Sequence, residues 1–284
     1  MQEERIDRLN RTFERIIGIG GEEAIELFSQ LLTDDDTIQR TWAVAGLRRI
    51  GGPLAAAALA PALSDKNALV CKAAVEALGK IGGPMAVELL SRALTDSNKD
   101  VRCVAAEALG ETGTAQATDF LVSASTDRDP RLRQVAVEAI GKIGGPMALA
   151  SLSRALDDSS AAVRKAAVWR LAVPRNMQEM QLISKALRDR HFAIRRAAAE
   201  ALGKSGMREA LPILKGRLRQ FAGEQDPGVL LAIRIAIESI ESTTAAGAGR
   251  PRFAAADSPS VEGRPRASEM APAPGGRPLL SWDA

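Results

Sequence analysis

The chain has no tyrosine, and aromatic residues make up only 3% of its 284 positions. It has one histidine and two cysteines. So few ligands argue against a zinc or haem site, a histidine-based triad and a disulfide framework. No metal and no cofactor are expected. Cys71 and Cys103 lie 32 residues apart with no Cys-x-x-Cys spacing, which reads as two spectator thiols in a reducing compartment. No run approaches the ~20 apolar residues of a spanning helix, so no membrane partner is expected. The opening MQEERIDRLNRTFERI is charged and amphipathic, unlike a signal peptide, and the expected location is the cytoplasm. With so few aromatics, alanine and leucine must supply most of the core, which favours closely packed helices over a β-sandwich.

The net charge is only +3, too small to argue for nucleic-acid binding by itself. Its distribution is uneven. Residues 1–126 carry 13 Lys/Arg against 18 Asp/Glu, and residues 127–242 carry 20 against 13.

A repeat explains most of the chain. EALGKIGGPMA at 76–86 returns as EAIGKIGGPMA at 138–148, and half of that shift, 31 residues, fits the rest. Ile16, Leu47, Leu78, Leu109, Ile140, Leu171 and Leu202 form one apolar column at this spacing. Phe28, Leu59, Leu90, Leu121, Leu152, Ile183 and Leu214 form a second. Asp34, Asp65, Asp96, Asp127, Asp158 and Asp189 form an acidic column, and Arg40, Arg102, Arg133, Arg164 and Arg195 a basic one, with Cys71 where an Arg is expected. Each unit reads as two amphipathic helices, such as 84–96 and 100–113. Pro84 suits a first helical turn, and Gly-Gly at 51–52, 82–83 and 144–145 ends one unit and opens the next. Such a unit cannot bury its apolar face alone, so the units must stack. The turn Asp is expected to accept N–H groups at the start of the second helix. The Arg is expected to reach the Asp of an adjacent unit, making a ladder.

An apolar helix, a turn Asp and then Val-Arg-x-Ala-Ala-x-x-Ala-Leu-Gly resembles the HEAT repeat, and the short Gly-rich unit is similar to the HEAT-like subgroup found in phycobilin lyases. The resemblance spans residues 6–242. It implies an all-α, right-handed α-solenoid of about seven 31-residue helix pairs. It leaves function open, because such repeats serve scaffolds, adaptors and a few enzymes. The expected function is a non-enzymatic scaffold or adaptor that holds a partner protein in its concave groove. The alternative is a phycobilin lyase subunit or chaperone-like bilin factor, although residues specific to bilin transfer are not identifiable. Behind these stands a HEAT-like nucleic-acid-binding protein or DNA glycosylase. A deoxyhypusine hydroxylase fails, since its iron needs paired His-Glu motifs and His191 stands alone.

The repeat domain is expected at 1–242: a half-unit at about 6–17, then seven pairs, the last with about seven inserted residues and a final helix at 228–242. Residues 243–284 hold six of the 14 prolines with many Ala, Gly and Ser, and read as a disordered tail. Within it, Leu279, Leu280 and Trp282 form a candidate docking motif.

Positions that break the repeat are the candidate site. Trp169 occupies the column of Glu76, Glu107, Glu138 and Glu200, Arg170 replaces an alanine, and VPRN at 173–176 replaces the Gly-Gly turn. Arg188, Arg190 and Arg196 crowd the following stretch. Trp169, Arg170, Arg175, Arg188, Arg190 and Arg196 together would form a basic aromatic surface for an acidic protein partner or, as the lesser alternative, nucleic acid. The competing reading makes Trp169 a filler of the altered turn and the arginines a solvated face. Trp42 aligns with Ala73, Val104 and Val135 and is expected to pack in the core.

Overall fold

A computed structural model of the chain describes residues 2–220 and 226–246. Among these residues there are fifteen α-helices and no strand. A single opening helix, α1 (Gln2–Ile19), precedes seven pairs. They are α2 (Gly21–Leu31) with α3 (Thr37–Ile50), α4 (Gly52–Ala58) with α5 (Ala68–Ile81), and α6 (Gly83–Ala93) with α7 (Lys99–Thr112). There follow α8 (Ala115–Ala124) with α9 (Pro130–Ile143), α10 (Pro146–Ala155) with α11 (Ala161–Arg170), α12 (Met177–Ala186) with α13 (Phe192–Ser205), and α14 (Ala210–Gln220) with α15 (Pro227–Ala246). The pairs stack as an α-solenoid.

Local chemistry sets the element ends. Gly82 and Gly83, with φ of +67° and +80°, turn the chain from α5 into α6 in a region that L side chains rarely adopt. Pro84 then opens α6 within its first turn, where an N–H would lack a partner anyway. Pro61 has the opposite effect in the second unit. It cannot donate to an α-helical bond, so α4 stops early and the chain continues as a 3₁₀ segment, Ala60–Ser64.

Both apolar columns are buried throughout, from Ile16 to Leu202 and from Phe28 to Leu214. Small residues between them let successive second helices approach closely. A Cβ on Gly79 would lie 2.9 Å from the Ala108 Cβ, and one on Gly110 would lie 2.7 Å from that of Ala139. The opening is sealed differently. Phe13 on α1 packs against Phe28 and meets Trp42 edge-on, both with ring centroids at 5.6 Å. Trp42 is half-buried in this cluster rather than fully in the core, because its column faces the side of the neighbouring helix.

The final unit corrects the sequence alignment. A Cβ on Gly203 would lie 2.8 Å from the Ala236 Cα, the same relationship that links Gly79 to Ala108. Ala236 therefore continues the column of Ala77, Ala108, Ala139 and Ala201. Asp226 accepts from the Val229 N–H at 3.0 Å and precedes Pro227, just as Asp129 precedes Pro130. The last second helix is thus offset by 35 residues, an insertion of four rather than seven. The shift of 38 matched similar letters one helical turn out of place.

The contacts divide the chain into two units, Met1–Ala246 and Gly247–Ala284. α15 runs to Ala246, four residues past the boundary expected from composition. The Leu279, Leu280 and Trp282 motif and the rest of the expected tail beyond Ala246 lie outside the described residues.

Candidate functional site

The acidic and basic columns meet at the turn inside each unit. Each column Asp accepts the backbone N–H two residues on, as Asp65 does from Asn67 at 2.7 Å. It does not cap the second helix itself. The cap is the residue whose N–H it receives: Asp36, Asn67, Asn98, Asp129 or His191 accepts in turn from the N–H two further on. His191 does so with its ring Nδ1 at 3.3 Å and stacks on Phe192. Ser160 holds the same place without a side-chain cap bond.

Each column Arg then closes its own turn. Nη1 of Arg40, Arg102, Arg133, Arg164 and Arg195 donates at 2.9 Å to the carbonyl of the Asp six residues earlier. Arg40, Arg133 and Arg164 also grip the carboxylate of the next unit, Asp65, Asp158 and Asp189 respectively, with two parallel bonds each. Arg102 departs from this pattern. It reaches Asp129 at 3.8 Å instead of Asp127, and its buried Nε has no partner. Here the cap of the next unit is itself a carboxylate and competes for the guanidinium. Cys71, in place of an arginine, donates its thiol to the Asp65 carbonyl at 3.2 Å but reaches no carboxylate across the junction.

The exposed face of the second helices has a separate character. Trp169 is 66% exposed, so it does not fill the altered turn. α11 has 10 residues where α9 and α13 have 14, because a residue before Pro174 is disfavoured in the helical region. Trp169 thus stands in the last turn of a shortened helix. Arg170 lays its aliphatic stem over Gly141, where a Cβ would meet its Cγ at 2.5 Å, and its head stays exposed. The corrected register puts Ile235 in the column of Glu200 and Trp169, and Leu231 in that of Lys165 and Arg196. Both are exposed, at 55% and 58%. A groove of about 270 Å³ opens between α13 and α15, lined by Arg196, Glu200, Lys204, Leu231 and Ile235.

The six expected site residues do not form one patch. Trp169, Arg170 and Arg196 share the exposed helix face. Arg196 is paired with Glu200 at 2.8 Å. Arg188 and Arg190 sit in the turn before α13, beside Lys185 and Asp157, which pair at 2.5 Å. Arg190 donates there to the Ser159 carbonyl at 2.5 Å. Arg175 lies in the α11–α12 connection, where its backbone N–H donates to Glu179 at 2.7 Å. Sequence reasoning missed Leu231 and Ile235. The signal was present, but a one-turn error of register concealed that they stand where Arg196 and Glu200 stand one unit earlier.

The family model for HEAT repeats matches residues 24–99, 87–172 and 153–238. Among solved structures, the Escherichia coli protein YibA is 19% identical, with a TM-score of 0.47, covering 82% of this chain and 96% of that one. The complex of CpcE and CpcF of phycocyanin lyase from Nostoc sp. PCC7120 is 23% identical, with a TM-score of 0.43 and coverage of 76% and 94%. Human deoxyhypusine hydroxylase in complex with glycerol is 21% identical, with a TM-score of 0.39 and coverage of 78% and 97%. No curated protein sequence matches the chain significantly. Among the described residues no helix is long and apolar enough to cross a membrane.

Proposed function

The chain belongs to the HEAT-repeat family, and from that premise we propose that it is a protein-binding scaffold or adaptor whose partner docks on the exposed face of α11, α13 and α15. One observation carries the reading. Trp169 and Ile235 are exposed apolar side chains in a column that holds Glu76, Glu107, Glu138 and Glu200, and the exposed Leu231 stands in one that holds Lys72, Cys103, Gln134, Lys165 and Arg196. Large exposed apolar side chains rimmed by polar ones mark protein interfaces, and Trp is prominent among interface anchors. In this reading the repeat units through Ala246 act as the binding domain and the residues beyond it take no part. The site belongs to the basic half of the chain, which suits a partner with an acidic surface.

A photo-crosslinking amino acid placed at position 169, 235 or 76 tests the proposal in lysate of the source cell. A common protein adduct from 169 and 235, absent from 76 and retained by a chain ending at Ala246, is the expected result. Adducts from position 76 alone, or none from 169 and 235, overturn it.

A further inference from the structure

The partner's chemistry follows from what surrounds the apolar residues. Lys165, Arg170 and Lys204 are exposed on α11 and α13, and none takes part in an ion pair among the described residues. On the same face Glu200 is already held by Arg196, and Glu238 is the exposed carboxylate left without an ion pair. Lys204 lines the apolar groove, and Lys165 stands in the column of Arg196 and Leu231, so the uncompensated charge along this face is mainly positive. The groove itself is small for a drug-sized ligand, whose sites span ~300–1,000 Å³, and suits a single inserted side chain. Three apolar side chains also fall well short of the ~800 Å² per partner of a standard interface between folded domains.

We propose that this face recognises a linear acidic segment of another protein through two apolar anchors, one seated between α13 and α15 against Leu231 and Ile235, the other covering Trp169. This rests on the reading that the face binds protein, and adds the partner's form and charge. Trp169 and Ile235 stand two helix spacings apart, ~16–20 Å at the usual interaxial distance. At ~3.3 Å per residue, that separates the anchors by five or six positions in an extended segment. At ~1.5 Å per residue, it separates them by about twelve in a helix.

The test uses the full chain with Trp42→Phe and Trp282→Phe, so that Trp169 alone reports by fluorescence. The probes are synthetic peptides of Asp, Glu and Ser carrying two leucines five, six or twelve residues apart. Controls carry one leucine, or lysine in place of every acid, and a duplex oligonucleotide serves as a rival polyanion. The expected result is a blue shift of Trp169 with at least one two-leucine acidic peptide. Its affinity should be at least tenfold above both peptide controls, should fall at raised salt, and should be lost in Ile235→Glu at unchanged melting temperature. Equal binding of the lysine peptide, of the single-leucine peptide or of the oligonucleotide overturns the proposal. So does the absence of binding by every acidic peptide. If the 169 and 235 adducts persist in that last case, the face still binds protein but reads a folded surface. If they are absent too, the underlying reading fails with it.

Discussion

Arg164 joins two units with one guanidinium. Its Nε and Nη2 donate to the two carboxylate oxygens of Asp189 at 2.6 and 3.0 Å, and its Nη1 donates to the Asp158 carbonyl of its own turn at 2.9 Å. Both side chains are about 95% buried. The bond thus fixes the turn and the junction together, and the charge balance of a buried site depends on it.

Removing that guanidinium leaves a buried carboxylate without its counter-charge. Arg164→Ala should lower stability by about 3 kcal/mol, the scale for breaking a buried pair. Arg102→Ala should cost clearly less, because its contact to Asp129 is long and its Nε is already unpartnered. Urea unfolding of the two variants, side by side, checks the order. Equal losses would mean that the turn carbonyls, shared by both arginines, carry the effect.

Acid should loosen the junctions. The Arg40 hydrogen bond holds the Asp65 carboxyl below its ordinary range, and Arg133 does the same for Asp158. For Asp189, burial opposes ionisation, but the Arg164 bond and the His191 N–H outweigh it and the net shift is also downward. A carboxyl with a depressed folded pKa adds stability above its unfolded pKa of ~3.9 and loses it as pH falls through the folded value. The melting temperature should therefore drop below about pH 4. In Arg164→Ala this drop should be smaller.

Restoring the missing rung should help. Cys71→Arg places a guanidinium where Arg40, Arg133 and Arg164 stand, facing Asp96 of the next unit. A gain of about 1 kcal/mol is expected, typical of a hydrogen bond to a charged group after its ordering cost. In the parent chain, burial pushes the Cys71 and Cys103 thiols up, so both should resist a thiol reagent until the protein unfolds. Fast labelling of either under native conditions would contradict this packing.

The closeness of α13 and α15 has its own test. Gly203→Ala forces a methyl group to within 2.8 Å of the Ala236 Cα and should destabilise by about 1–3 kcal/mol, shifting α15 and deforming the groove. Gly216, inside α14 with open space around it, is the matched control. Gly216→Ala should be neutral or stabilising by up to ~1 kcal/mol through helix propensity. Thermal melts of both variants decide the matter.

Much of the fold was legible because the repeat is its own internal standard. Columns such as Leu78 and Leu90 recur every 31 residues, and an amphipathic helix needs only its own sequence to declare its buried face. The same arithmetic marked Trp169 as an outsider. It failed at Ile235, since α15 is rich in similar apolar residues and a one-turn slip still matches letters. It also grouped Arg188 and Arg190 with Trp169, although the turn before α13 and the exposed helix face are different surfaces.

By itself the sequence determined the number of helix pairs, their ends at glycine and proline, and the two buried columns. All of these follow from periods and backbone preferences acting within about thirty residues. Only the tertiary structure decided that Arg102 turns to Asp129, that Ala236 rather than a neighbour meets Gly203, and that Ile235 and Leu231 lie open beside Arg196. Those outcomes depend on which turn of one helix faces which turn of the next, and such distances across a junction are set by packing, which no local pattern encodes.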